Sequence, residues 1–243
     1  PWSAEGSSAV IQDAAGNQNE ADYFIRFNVK PGPDLTPPKI EEVSPLNKAF
    51  IRNDINETSV DIFVNEPSEC KWDKNDIDYG NMKNDFECQT SGFITSALHY
   101  GLYECKTKLS GLTNGENKFF FKCKDQPGKE EKDRNVMQQS FAYSLIKTSK
   151  LNIDKIEPTG TIFNGNITLK VITSNGAENG KAICAFSEKE SDEFFNKVEF
   201  IKTNSNLHEQ SLILGTARYN YFVTCQDIAG NEANTAGQEM QAR

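Results

Sequence analysis

The chain has little of what catalysis or nucleic-acid binding needs. It holds only two histidines, His99 and His208. Neither lies in a His-x-x-x-His or Gly-x-Ser-x-Gly setting, and there is no glycine-rich phosphate cradle. The 35 acids offer no singled-out carboxylate pair, so no enzyme is expected. Positive charge is also scarce. With 26 Lys+Arg against 35 Asp+Glu, the net charge of −9 excludes the basic stripe that grips a phosphate backbone, so no nucleic acid is expected as partner. No run of about 18 apolar residues occurs, so no segment is expected to span a bilayer. None of the six cysteines forms a Cys-x-x-Cys pair, which excludes a zinc ribbon or a thioredoxin-type site. Helical periodicity is limited to the short stretch 192–198.

What is present is repetition. "IQDAAGN" (11–17), "CKDQPGK" (123–129) and "CQDIAGN" (225–231) are versions of one phrase. Sliding the second half back by 114 positions puts Cys184 on Cys70, Phe186 on Trp72 and Phe200 on Phe86. Val60, Ile62 and Val64 recur at every second position, as do Ile167, Leu169 and Val171; period two marks half-buried strands. Strands are predicted near 39–43, 59–64, 69–73, 103–109, 118–124 and 138–145, and again in the second half, ending with 219–226 and a weaker 234–243. Turn residues such as Glu66-Pro67-Ser68 and Thr113-Asn114-Gly115 separate them. A long internal period of this kind means tandem domains of one type. The units are 34–146 and 147–243, each of a normal size for an antiparallel β-sandwich. Prolines 31, 33, 37 and 38 stiffen the segment entering the first unit.

The Asp-x-Ala-Gly-Asn close, the alternating strand after it and the "DLTPP" passage into the next unit resemble tandem immunoglobulin-like or fibronectin type III-like repeats. The Cys with an aromatic two residues later and the Leu-Thr-Asn-Gly turn complete the pattern. It is similar to the repeats of large archaeal or candidate-phylum bacterial cell-surface proteins. That resemblance implies an all-β fold of tandem immunoglobulin-like sandwiches with disulfides. It implies a non-catalytic structural protein of the cell surface: a spacer, a surface-array unit or a filament unit. The alternative is an adhesin or carbohydrate-binding stalk that meets cell-surface glycans. In each unit the cysteines at matching slots are expected to pair, Cys70 with Cys123 and Cys184 with Cys225, across neighbouring strands. The extra pair, Cys88 with Cys105, is expected to clip the longer excursion of the first unit. Trp72 and Phe186 are expected to pack on the disulfides, and Phe120 and Phe222 to belong to the core. His208 is expected to cap a loop.

No cofactor is expected, except for calcium at a domain joint. Asp13 and Asn17 at one tip and Asp34 in the following linker offer hard oxygens, although the same residues make turns through their own backbone. The acidic loop 73–81 has some EF-hand offsets but a misplaced glycine, and reads as solvated. The sequons at Asn56 and Asn166 are glycosylation candidates at the start of equivalent strands. Residues 1–33 read as the tail of a domain: a β-hairpin closed by a strong alternating strand with Tyr23, Ile25, Phe27 and Val29. The final stretch aligns Glu239, Gln241 and Arg243 with the last three of these, and so looks a poor closing strand. The expectation is that the amino-terminal strand of one copy completes, or adds an edge to, the last sandwich of another, head to tail. The plain alternative is a cut from a longer array of repeats.

Overall fold

The computed structural model describes residues 15–16, 34–163, 165–235 and 238–242. Tyr23, Ile25, Phe27 and Val29, with Asp13 and Asn17, lie outside them. The first sandwich is built from β1 (Ile40–Ser44), β2 (Ala49–Ile51), β3 (Glu57–Val64), β4 (Ser68–Asp73), β5 (Asn84–Asp85), β6 (Glu87–Cys88), β7 (Tyr103–Ser110), β8 (Gly115–Asp125) and β9 (Phe141–Lys147). The second has β10 (Leu151–Glu157), β11 (Gly160–Ile162), β12 (Asn166–Asn175), β13 (Ala182–Ser187), β14 (Val198–Glu199), β15 (Leu207–Ile213), β16 (Ala217–Asp227), β17 (Glu232–Asn234) and β18 (Gln238–Ala242). Among the described residues there is no α-helix. The stretch 192–198 forms only a 3-10 turn, Phe194–Asn196, too short to bury a helical face.

In the first sandwich one sheet runs β1-β3-β7-β6 and the other β2-β9-β8-β4-β5. In the second the sheets run β10-β12-β15 and β11-β18-β16-β13-β14. The first strand of each unit splits between the sheets: β2 and β11 pair in parallel with β9 and β18. This is the strand order of an immunoglobulin-type sandwich.

The cores follow from alternation. Val60, Ile62 and Val64 point inward from β3, Phe119, Phe121 and Cys123 from β8. Phe121 meets Phe86 at 5.1 Å and Tyr143 at 5.2 Å between ring centres. Trp72 Nε1 donates across the sandwich to Thr107 Oγ1 at 3.0 Å. In the second core Phe186 packs edge-on against Phe200 at 5.2 Å and Tyr221 at 5.5 Å. Register moves two expectations by one residue. Phe119 and Phe121, and Tyr221 and Val223, fill the cores, while Phe120 and Phe222 face outward and are half-buried, because successive strand residues point to opposite faces. Phe63 breaks the alternation in the other direction. It points outward from β3 yet is buried, because the excursion 89–102 lays the His99 ring over it at 3.8 Å.

The closing strand of the second unit is a further correction. β18 pairs with both β16 and β11, and Met240 is fully buried beneath it. The inward position is residue 240, one away from the charged and amide side chains at 239 and 241. The last sandwich is therefore closed by its own chain. Its β15 edge is blunted as well. Lys202 and Glu209 exchange backbone hydrogen bonds at 3.1 and 2.9 Å, and Glu209 carries ion pairs to Lys170 and Lys202.

The disulfides are Cys70–Cys123, Cys88–Cys105 and Cys184–Cys225. Each joins residues directly opposite one another on neighbouring strands. All three therefore lie within a sheet, and none ties one sheet to the other.

Candidate functional site at the domain joint

The repeated phrase builds the joint. At the end of β16 the chain turns through Gly230, whose φ of +83° is one that L side chains rarely adopt. Gly230 N–H donates to Asp227 O at 3.0 Å. The Asp227 carboxylate collects four donors. Oδ1 accepts from the N–H groups of Ala229 (3.0 Å) and Asn231 (2.9 Å). Oδ2 accepts from Ala177 N–H (2.7 Å) and from Asn231 Nδ2 (2.7 Å).

Asn231, only 1% exposed, is held by that carboxylate so that its amide faces the other sandwich. Nδ2 also donates to Thr148 Oγ1 at 2.8 Å, and Oδ1 accepts from Asn53 N–H at 2.9 Å. Thr148 begins the three-residue passage between β9 and β10. Its N–H and Oγ1 both donate to Ile51 O, at 2.9 and 3.0 Å. One buried carboxamide thus bonds the second sandwich, the passage and the first sandwich. On the surface beside it, Asp54 holds the Arg52 guanidinium at 2.6 Å. Asp54 first, and Glu232 of the second sandwich in addition, keep Arg52 protonated above its ordinary range.

The first sandwich repeats the device with different spacing. Asp125, at the end of β8, corresponds to Asp227. The position matching Asn231 is Lys129, and the carboxamide comes instead from Asn135, after a 3-10 turn at Glu131–Asp133. Asp125 Oδ1 accepts from Asn135 N–H at 2.5 Å, and Oδ2 from Asn135 Nδ2 at 2.7 Å. Asn135 Nδ2 also donates to the backbone oxygen of Asp34 at 3.1 Å, gripping the entering segment. Sequence reasoning passed over Asn135 because its spacing from the repeated phrase is irregular.

Of the residues expected at a calcium site, Asp34 alone is described. Its Oδ1 accepts from Thr36 N–H (3.1 Å) and Oγ1 (2.8 Å), a local turn that lowers its pKa. Its carboxylate lies within 4.8 Å of those of Glu66 and Asp125. Burial, then the charges of Asp34 and Asp125, raise the pKa of Glu66.

The two sequons are both exposed but are not equivalent in register. Asn56 O accepts from Leu112 N–H, whereas Gly165 O, not that of Asn166, accepts from Leu214 N–H. Asn56 Oδ1 accepts from Lys147 Nζ at 2.5 Å. His208 caps no loop. It stands on β15, fully buried, with Nε2 3.0 Å from Thr173 Oγ1 and Nδ1 2.9 Å from Thr203 Oγ1.

No protein-family model and no curated protein matches this chain. Several solved structures align with it at low identity. The fibronectin(III)-like modules of Clostridium thermocellum CbhA are 10% identical over 84% of this chain and 92% of theirs, with a TM-score of 0.43. An I-band fragment of titin is 9% identical over 86% of this chain and 66% of its own, with a TM-score of 0.45. Fibronectin domains of chicken CNTN1 are 9% identical over 96% and 76%, with a TM-score of 0.43. The immunoglobulin-type assignment rests on the strand order of each sandwich. No helix among the described residues is long and apolar enough to cross a membrane.

Proposed function

We propose that the chain is a non-catalytic structural spacer of the extracellular surface, whose work is to hold consecutive sandwiches at a set angle. The observation that carries this reading is Asn231. A buried carboxamide that bonds Asp227, Thr148 and Asn53 at once resists bending, because each hydrogen bond lost when the joint opens costs about 0.5–1.5 kcal/mol net. Three disulfides support an oxidising location. Partners are neighbouring repeats or further copies of the chain, meeting pole to pole in an array or filament. Strand completion by Tyr23, Ile25, Phe27 and Val29 is the less favoured assembly mode, since β18 already fills the last sheet. Asn56 and Asn166 are the glycan acceptors of this reading, to be checked by intact-mass measurement on protein from its native surface.

Asn231→Ala tests the joint. In backbone relaxation measurements the two sandwiches of the native chain tumble as one body, and in the variant they tumble separately. Equal coupling in both would remove the reading.

A second reading, an adhesin, is favoured by one feature. The excursion bracketed by Cys88–Cys105 exposes Phe93 and Tyr100 in edge-to-face contact, 5.9 Å between ring centres. Aromatic faces of this kind stack on sugars. Glycan-array binding that is lost in Tyr100→Ala would move the function there.

A further inference from the structure

The two disulfides of the first sandwich lie against each other. Cys105 Sγ is 3.7 Å from Cys70 Sγ, and the sulfurs of Cys70, Cys88 and Cys105 are all within 4.8 Å of one another. Cys70, Cys105 and Cys123 are buried to within 2% of full burial, whereas Cys88 is only partly buried. The geometry points to a thiol-exchange relay that enters at Cys88 and converts the first sandwich from sheet-internal bonds to an inter-sheet staple.

The steps balance without any oxidant. A small external thiolate attacks Cys88 Sγ, forms a mixed disulfide there and expels Cys105 as thiolate. Cys105 Sγ then attacks Cys70 Sγ beside it. The Cys70–Cys123 bond breaks, Cys70–Cys105 forms, and Cys123 leaves as a thiolate that takes a proton. One thiol is consumed and one is produced.

The product differs mechanically from the starting state. β4 belongs to the five-stranded sheet and β7 to the four-stranded sheet. Cys70–Cys105 would therefore join the two sheets, which no disulfide does beforehand. In a load-bearing spacer such a bond keeps the sheets from sliding apart. The second sandwich supplies an internal control. Its buried Cys184–Cys225 bond has the imidazole of His208, not a second disulfide, beside it.

The test exposes the intact, folded chain briefly to glutathione at about pH 8. It is then quenched with an alkylating agent, and its disulfides are mapped by non-reducing peptide mass spectrometry. The expected product carries glutathione on Cys88, a Cys70–Cys105 bond and the alkyl label on Cys123, with Cys184–Cys225 intact. Label or glutathione confined to Cys88 and Cys105, with Cys70–Cys123 intact, would overturn the relay. Cys88→Ser gives a second measure that needs no added thiol. It leaves Cys105 free beside Cys70, so a Cys70–Cys105 bond with free Cys123 is expected in a measurable share of the purified protein. Finding only Cys70–Cys123 there would also overturn it.

Discussion

The two sandwiches share a strand order but fill one core slot with different chemistry. In the first, Cys105 stands opposite Ile62 and is bonded to Cys88. In the second, His208 stands opposite Val171 between the hydroxyls of Thr173 and Thr203. Both side chains sit behind the disulfide that the units have in common. The packing demands a filled slot there, since a void costs stability roughly in proportion to its volume. It does not dictate what fills it. A second disulfide makes the first sandwich the more sensitive to reduction, and a buried imidazole makes the second sensitive to acid.

Reduction gives the largest separation. By chain entropy, loops of 53 and 17 residues contribute roughly 7 kcal/mol together, and the loop of 41 contributes about 4 kcal/mol. Calorimetry with a strong reductant is expected to lower the first sandwich's transition further than the second's. Equal drops would break the comparison.

Acid acts in the other direction. Burial pushes the His208 imidazole down from 6.5 to about 4. The folded form therefore holds it neutral, while the unfolded chain takes up a proton below about 6.5. The stabilisation is complete above that pH and drains as pH falls towards 4, by at most about 3 kcal/mol. Unfolding of the second sandwich followed from pH 7 to 4 is expected to show this slope, and His208→Gln to flatten it.

Two glycines sharpen the contrast on a smaller scale. Gly180 has φ +92°, and a Cβ there would lie 2.6 Å from Ser174 Cα and 2.7 Å from Thr173 O. Gly128 has φ +91° in open space. Gly180→Ala is expected to destabilise the second sandwich by more than ~2 kcal/mol, and Gly128→Ala the first by only about 1 kcal/mol. Chemical denaturation of the two variants checks this.

The smallest effect is expected at Glu66. Its raised pKa means that the ionised form is disfavoured in the folded state. Glu66→Gln should raise the first sandwich's melting midpoint slightly at neutral pH, with the gain vanishing below the ordinary glutamate range, where both states are protonated. Repeating the melt with calcium reads the other use of the cluster: a rise in the native chain that Glu66→Gln abolishes marks a hard-cation site.

Much of this was legible in the chain itself. The period-two runs at 60–64 and 167–171 set the strands, because inward and outward positions alternate whatever the surroundings. The repeated slots of Cys70 and Cys184, and of Cys123 and Cys225, led to the pairings together with the resemblance to immunoglobulin-type sheets, in which those strands are neighbours. Tertiary structure decided what depends on a one-residue register or on a remote partner. Phe119 rather than Phe120 enters the core, and Met240 anchors a strand whose neighbours look polar. Phe63 is buried because a distant excursion folds over it. Asn231 shows the division most clearly. The Asp-x-x-Gly-Asn spacing dictates the turn, because the carboxylate must reach its own backbone N–H groups. Only the packing of one sandwich on the next could make that asparagine a joint, since Asn53 and Thr148 come from elsewhere in the chain.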